Sequence, residues 1–421
     1  MPTPRFLQIH TLVSFPAALL NRDDAGLAKR ISYGGKVRTR VSSQCLKRHW
    51  RTAVDEWSLA NVGLDMSVRS REAFEYAIRP EVIKALPEVA PAVIDAVGAV
   101  LSRALYGKKA DDISKRQALL LGWPELRYLT EEVVRLSRGG TDPEAVAKVA
   151  EAHFGGKGKS KGKGKEKGKA EDEAETETDG IKANLSAIKA VAGSLAAGLE
   201  AGLFGRMVTS DPAANTDAAI HVAHAFTVHE QESETDYFTV VDDLKAQDRT
   251  AESGSAGIFD SELTSGLFYG YVVVDVPLLV SNLTGVPPEH WGDTNTDRAL
   301  AAKVVEHLIH LIATVSPGAK KGSTAPYAYA QTMLIEAGSR QPRTLASAFE
   351  KSVRAASDIS LAAAAESALF DRLAAFDRAY GAKEARRFLS LDPTSRTGTT
   401  GPETLDDLAS WAAGTITTAE A

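Results

Sequence analysis

Between Ala25 and Val54 the chain places eight cations, Lys29, Arg30, Lys36, Arg38, Arg40, Lys47, Arg48 and Arg51, and no acid. That window carries +8 and leaves −14 to the rest of a chain whose formal net charge is −6. A solvated basic face normally mixes the two signs, so an unrelieved block of this length points to a polyanion site. At about 100° per residue, Gln44, Lys47, Arg48 and Arg51 gather on one side of a helix that starts near Ser43. The unpaired N–H groups of its first turn lie beside them. Upstream, Tyr33-Gly34-Gly35 supplies a tight turn, and Lys36, Arg38 and Arg40 alternate onto one side of a short strand. Glycine turn, basic strand and basic helix start together read as a cradle for a phosphate backbone.

Other chemistries compete for the same stretch. Asn21-Arg22-Asp23-Asp24 suggests a metal-dependent nuclease, because carboxylates can hold Mg²⁺ at a phosphate. Adjacent aspartates rarely converge on one ion without further ligands, and the basic residues behind them supply none. Asp23 and Asp24 are expected instead to form a turn or to orient Arg22, with a metal-dependent ribonuclease kept as the alternative. His221, His224 and His229 are close in sequence, and His307 and His310 share a helical face. In a strand His224 points away from the other two, so neither a metal nor a cofactor is expected. Gly158-Lys159-Ser160 imitates the end of a phosphate loop, but His153 stands where that loop needs its first glycine. No Ser, His and Asp set can be picked by spacing, and the protein is expected not to be an enzyme.

The elements that must position these residues follow from composition and periodicity. A chain of 421 residues, 44% apolar, is long enough for two or three domains with a real core, which excludes a disordered or collagen-like class. A single cysteine, Cys45, and an opening MPTPRFLQIH without a secretory pattern predict a cytoplasmic location. The stretch from Ala183 to Phe204 is interrupted by Lys189 and Glu200, so no membrane partner is expected. A strand is predicted at Phe6–Val13, then a helix from Ser43 whose apolar series Leu46, Trp50, Ala53, Val54 and Trp57 faces the core. A mainly helical region follows from Asn61 to Lys189. Ile220–Val228 and Leu267–Val276 read as strands, the second with Phe268, Val272, Val274 and Val276 on one face. The polar excursion between them predicts a long hairpin. Helices are predicted at Asp297–Val315 and Leu345–Ala379, giving an α+β fold. Within the helical region, Lys157 to Lys169 carries seven lysines and one glutamate, and Glu171 to Asp179 carries six acids. This run, about 155–180, is predicted to be a disordered insert, either a tolerated insertion or two halves that pair with each other.

NRDD at 21–24, YGG at 33–35 and VSSQCLKRHWR at 41–51 resemble the guide-RNA-binding backbone subunit of the type I-E CRISPR surveillance complex, Cascade. The resemblance continues in GRMVTS at 205–210, in His224 through Leu244, in TSGLFYGYVVVD at 264–275 and in PGAK at 317–320, and is weakest across the helical part. It implies a palm built on a modified RNA-recognition-motif (ferredoxin-like) sheet, at 1–60, 220–230 and 264–421. It also implies helical fingers at 61–219 and a β-hairpin thumb at 231–263. By the same resemblance, Arg22, Lys29, Ser42, Gln44, Lys47, Arg48 and Arg51 hold guide RNA, and Met207 and Phe238 wedge against its bases. Phe238 as a plain hairpin core residue is the competing reading. Lys320 and Lys321 are candidate DNA contacts. The implied partners are CRISPR guide RNA, target DNA through the guide, further copies of the chain (six by this resemblance) and other Cascade subunits. A single-copy RNA-binding module without polymerisation is the other reading that stays open. Cys45 stands where the family has Ser, and Tyr237 where it has Trp; the Lys/Gly run is not a family feature.

Overall fold

The computed structural model describes residues 4–154, 185, 188–189, 193–208, 211–241, 255–392 and 399–417. The predicted disordered insert at 155–180 lies outside the described residues. Strands are β1 (Phe6–Ala18), β2 (Arg30–Tyr33), β3 (Lys36–Val41), β4 (Ser67–Ser70), β5 (Leu119–Gly122), β6 (Ile220–Val222), β7 (Ala225–Thr227), β8 (Glu232–Val241), β9 (Ser255–Asp275), β10 (Ala330–Gly338) and β11 (Ala385–Ser390). The longer helices are α1 (Ser43–Arg51), α2 (Arg79–Ala85), α3 (Pro91–Tyr106), α4 (Trp123–Ser137), α5 (Pro143–Phe154), α6 (Leu199–Phe204), α7 (Val276–Thr284), α8 (Ala299–Thr314), α9 (Leu361–Tyr380) and α10 (Leu405–Thr417). The fold is thus mixed helix and antiparallel sheet. Among the described residues no helix is long and apolar enough to cross a membrane.

The chain divides into two compact units, one of residues 1–63, 219–281 and 286–421, the other of 64–218 and 282–285. In the first, an antiparallel sheet runs in the order β11-β10-β1-β9-β7-β3-β2, with β6 and β8 also paired to β9. Alternation along β1 decides both faces. Ile9 pairs with Val272 and Val13 with Phe268, which puts Val13, Phe15 and Phe268 against Leu46 of α1. Leu12 pairs with Tyr269, and that face is roofed by Leu345, Phe349 and by Leu369, Phe370 and Leu373 of α9. Both faces are apolar, as expected of a sheet with helices on either side. Under α1 lies a cavity of only about 50 Å³, lined by Leu46, Trp50, Phe268 and Ile312 among others. It is too small for any ligand larger than a few waters.

One polar network crosses the roofed face. His10, fully buried, donates from Nε2 to Glu336 at 3.2 Å and accepts at Nδ1 from Tyr269 Oη at 2.9 Å. Arg343 bonds both carboxylate oxygens of Glu336, and Arg386 links Glu336 to Asp377. A buried carboxylate survives only when paired in this way.

In the second unit, α2 to α5 enclose a core that includes Phe74, Val93, Ile94, Val97, Leu101, Leu129 and Val133. It is not purely helical, since β4 and β5 pair across it. Arg206, inside the GRMVTS motif, is buried and meets both oxygens of Glu125 at 2.7 and 2.8 Å while also donating to the Ala214 carbonyl. That arginine is a structural strut.

Several predicted elements end elsewhere. Helix α1 stops at Arg51, because the Thr52 N–H and hydroxyl both bond the Arg48 carbonyl and Asp55 then turns the chain by accepting from Trp57 N. The apolar period expected to run through Val54 is therefore broken. Val54 is 96% exposed, and Trp57 instead stacks on His310 with ring centroids 3.5 Å apart. The helix expected at Leu345–Ala379 begins only at Leu361, where Ser360 caps it by accepting from Ala363 N. Residues 346–349 form a separate 3₁₀ turn. Val276 is already the first residue of α7 and does not extend the face of β9.

Candidate nucleic-acid interface

The cradle is assembled around Asn21. Its carbonyl accepts from Lys29 N at 2.9 Å, and its side-chain oxygen accepts from Ser42 N at 3.0 Å. One residue thereby ties the 21–29 turn to the N-terminus of α1. Asp23 shapes that turn: Oδ1 accepts from the N–H of Ala25 at 3.0 Å and of Leu27 at 2.9 Å, while Asp23 N donates to Leu27 O. This is the turn-forming role, and it leaves Arg22 and Asp24 exposed on the outside. Among the described residues no three His, Cys, Asp or Glu side chains are grouped to hold a metal ion. The turn is also strapped to β9, where buried Glu262 accepts from Ala28 N and pairs with Arg30.

Helix α1 starts where Ser42, extended at ψ 149°, offers its hydroxyl to Cys45 N at 3.3 Å. Such a cap is worth about 1 kcal/mol. Ser42 is itself nearly enclosed, 5% exposed. Buried Trp50 holds the helix to the sheet, while Gln44 and Arg48 are exposed and Lys47 and Arg51 half-exposed. No acid occupies the first turn. Arg22, Lys29, Gln44, Lys47, Arg48 and Arg51 are thus accessible on the 21–29 turn and on α1, while Ser42 is enclosed as the helix cap, and the dipole at the capped end attracts anions.

Arg38 departs from the sequence reading. Alternation was expected to put it with Lys36 and Arg40 on one basic side, but it is fully buried. Its guanidinium donates to the carbonyls of Thr227 and Phe349, each at 3.1 Å. Burial lowers its pKa, and the neighbouring Tyr33 and Glu230 oppose that shift. Lys36 remains exposed and pairs with Glu230. Arg40 is half-exposed and donates from Nη1 to His224 Nδ1 at 2.8 Å. Partial burial, Arg40 and Lys29 together lower the pKa of the His224 imidazole, which favours the neutral ring that accepts from Arg40.

The remaining residues are placed as follows. Strands β8 and β9 pair from Glu232 opposite Ser265 out to Val241 opposite Ser255, forming the long hairpin. Phe238 faces Phe259 across the ladder, with ring centroids 5.6 Å apart; it is 39% exposed. The loop carrying Lys320 and Lys321 is tied to the end of β1 through Ala319 N to Leu19 O at 2.9 Å. Burial lowers the pKa of His49 in α1, and the charges of Lys321 and Arg48 add to that, so this loop adjoins the helix. Met207 belongs to the other unit and is 74% exposed. Sequence reading missed Asn21 as the joint and Glu262 as the strap. It also missed Tyr327 and Tyr329, whose two-residue spacing in an extended segment was the available signal.

A family model described as CT1975-like protein matches residues 7–412. The chain belongs to the CT1975-like protein family. A comparison with curated proteins finds no match. Among solved structures, the CT1975-like chain is similar to a chain of a "CRISPR RNA-guided surveillance complex, pre-nicking" at 26% identity. That alignment has a TM-score of 0.68 and covers 97% of this chain and 100% of that one. A chain of another "CRISPR RNA-guided surveillance complex" aligns at 22% identity and a TM-score of 0.63, covering 97% and 99%, a likeness of fold.

Proposed function

We propose that this chain is a non-catalytic backbone subunit of a type I-E CRISPR surveillance complex that works in the cytoplasm. In this reading several copies assemble head-to-tail along one guide RNA, six in a complete assembly. Each grips sugar and phosphate through a palm of modified RNA-recognition-motif form. Helical fingers and the β8–β9 thumb complete the hand. The guide is then presented in short segments for pairing with target DNA, so sequence is read by base pairing and not by this protein. A heterologous contact repeated from copy to copy builds such a filament, with RNA and end-capping subunits fixing its length.

The observation that carries this reading is the Asn21 joint. It fixes the turn that carries Arg22 and Lys29 against a helix N-terminus whose first turn holds no acid, an arrangement suited to a phosphate chain. Membership of the CT1975-like family and likeness to surveillance-complex chains support it.

The test is to purify the protein with the partners encoded beside it, extract bound nucleic acid, and size it after separate RNase and DNase treatment. One discrete RNA with constant flanks and a variable interior is expected. Absence of RNA from a stoichiometric complex would overturn the reading. A complex mass that does not step up with RNA length would leave a single-copy RNA-binding module.

A further inference from the structure

Tyr327 and Tyr329 are 72% and 71% exposed, an unusual pair of large rings in the segment that leads into β10. The residue between them explains the geometry. Ala328 is half-buried in the cluster that includes Cys45 and Leu46 of α1, and both its backbone groups are held by Ser316. Ser316 Oγ donates to Ala328 O at 3.0 Å and accepts from Ala328 N at 2.9 Å. With Ala328 fixed inward, alternation in an extended segment sends both tyrosines outward. Ala325, a non-glycine residue at φ +38°, sharpens the turn just before them, where Tyr327 N donates to Ala325 O at 2.7 Å.

The charges beside these rings are positive. Lys321 Nζ lies 6.0 Å from the centroid of Tyr327, and Lys320 Nζ lies 4.9 Å from that of Phe238. Two rings on alternate residues lie about 7 Å apart along an extended chain, so each can take one base of an unstacked strand whose successive bases are spread beyond the stacked rise of about 3.4 Å. Cations suit a phosphate chain, and exposed aromatic faces suit its bases whatever their identity.

We propose that Tyr327 and Tyr329 form a stacking platform for two successive bases of the single-stranded nucleic acid whose backbone lies in the cradle. This rests on the RNA-binding reading and adds a base-contacting surface, fixed through Ser316 and Ala328, to the hairpin wedge. Unlike the cradle contacts, the platform acts on the bases and is indifferent to phosphate.

The test uses the full chain, a fluorescein-labelled single-stranded oligoribonucleotide, and an abasic strand of the same length, with binding followed by anisotropy. Replacing both tyrosines by Ala is expected to weaken binding to the ordinary strand by about five-fold or more per ring. Binding to the abasic strand should be unchanged, and Tyr327→Phe with Tyr329→Phe should restore the loss. Thermal unfolding of each variant shows that the fold is kept. Equal losses on both strands, or no loss on either while Lys47→Ala still weakens binding, would overturn the platform and leave the RNA-binding reading standing. Normal RNA affinity with a changed assembly mass on RNA would make the tyrosines a contact between copies. A wild-type chain that binds neither strand would remove the underlying reading and the platform with it.

Discussion

Lys320 holds its ammonium 4.9 Å from the ring centroid of Phe238, so the two-lysine loop and the β8–β9 hairpin touch. The hairpin ring thus has one neighbour on its own ladder, Phe259, and one outside it. Lys320→Ala and Phe238→Ala should therefore be non-additive in the unfolding of the isolated chain. A double-mutant cycle is expected to give a coupling of about 0.5–1 kcal/mol, the range for exposed cation–π contacts. Strict additivity would show that the hairpin does not rest on the loop in solution.

Two arginine and lysine positions in the basic window should separate cleanly. Lys47→Ala is expected to weaken RNA binding equally for unrelated sequences and to lower the salt slope by about 0.7, because a phosphate contact carries no base information. Arg38→Ala removes a buried donor and strands the carbonyls of Thr227 and Phe349. It should cost about 2–4 kcal/mol of stability and leave the salt slope of the surviving folded protein unchanged. Urea unfolding and salt titrations of both variants check this.

Asp23 is expected to matter for shape and not for cleavage. Asp23→Ala deletes the acceptor for two backbone N–H groups, so RNA affinity should fall several-fold as Arg22 and Lys29 lose their frame. Chelation of divalent ions should leave bound RNA intact for wild type and variant alike. RNA that is cut in a chelator-sensitive manner, with the cutting abolished by Asp23→Ala, would establish the ribonuclease alternative.

Acid should unfold the sheet-bearing unit in two stages. Burial lowers the pKa of His10, whose fold accommodates the neutral ring. Below its unfolded value of about 6.5 the unfolded chain gains a proton that the native state resists, so stability falls as pH falls. Glu336 behaves in the same direction: burial would raise its pKa, but hydrogen bonds from His10 and Arg343 hold it well below the usual carboxylate range. Its contribution is present above the ordinary value of 4.5 and is lost as pH drops further. Urea midpoints should be flat near pH 7–8, decline below about 6.5 and fall most steeply below about 4.5. Glu336→Gln should flatten the lower limb while lowering the plateau.

The helix face of the cradle was legible because local rules govern it: a Ser cap, a 3.6-residue period and the lack of acids between Ala25 and Val54 all lie within one stretch. Arg38 was not, because the carbonyls that bury it come from Thr227 and Phe349, 189 and 311 positions away. Strand β10 escaped for a related reason. AQTMLIEAG is rich in helix formers, yet pairing with β1 on one side and β11 on the other makes it a buried strand. Val54 shows the reverse error, a local period extended past the residue where Thr52 and Asp55 had already ended the helix.

Strand β9 runs without a break from Ser255 to Asp275, so one strand serves both the hairpin and the sheet beside the cradle. Its side chains change sides at every residue, which makes Phe259 and Tyr269 a matched pair in parity. Insertions and deletions between them must then come in even numbers, with matching changes on β8, unless a bulge absorbs the odd residue. Hairpin length is therefore quantised: a two-residue step on both strands keeps the Phe238–Phe259 pair on its present side of the arm, while an odd step turns it to the opposite side.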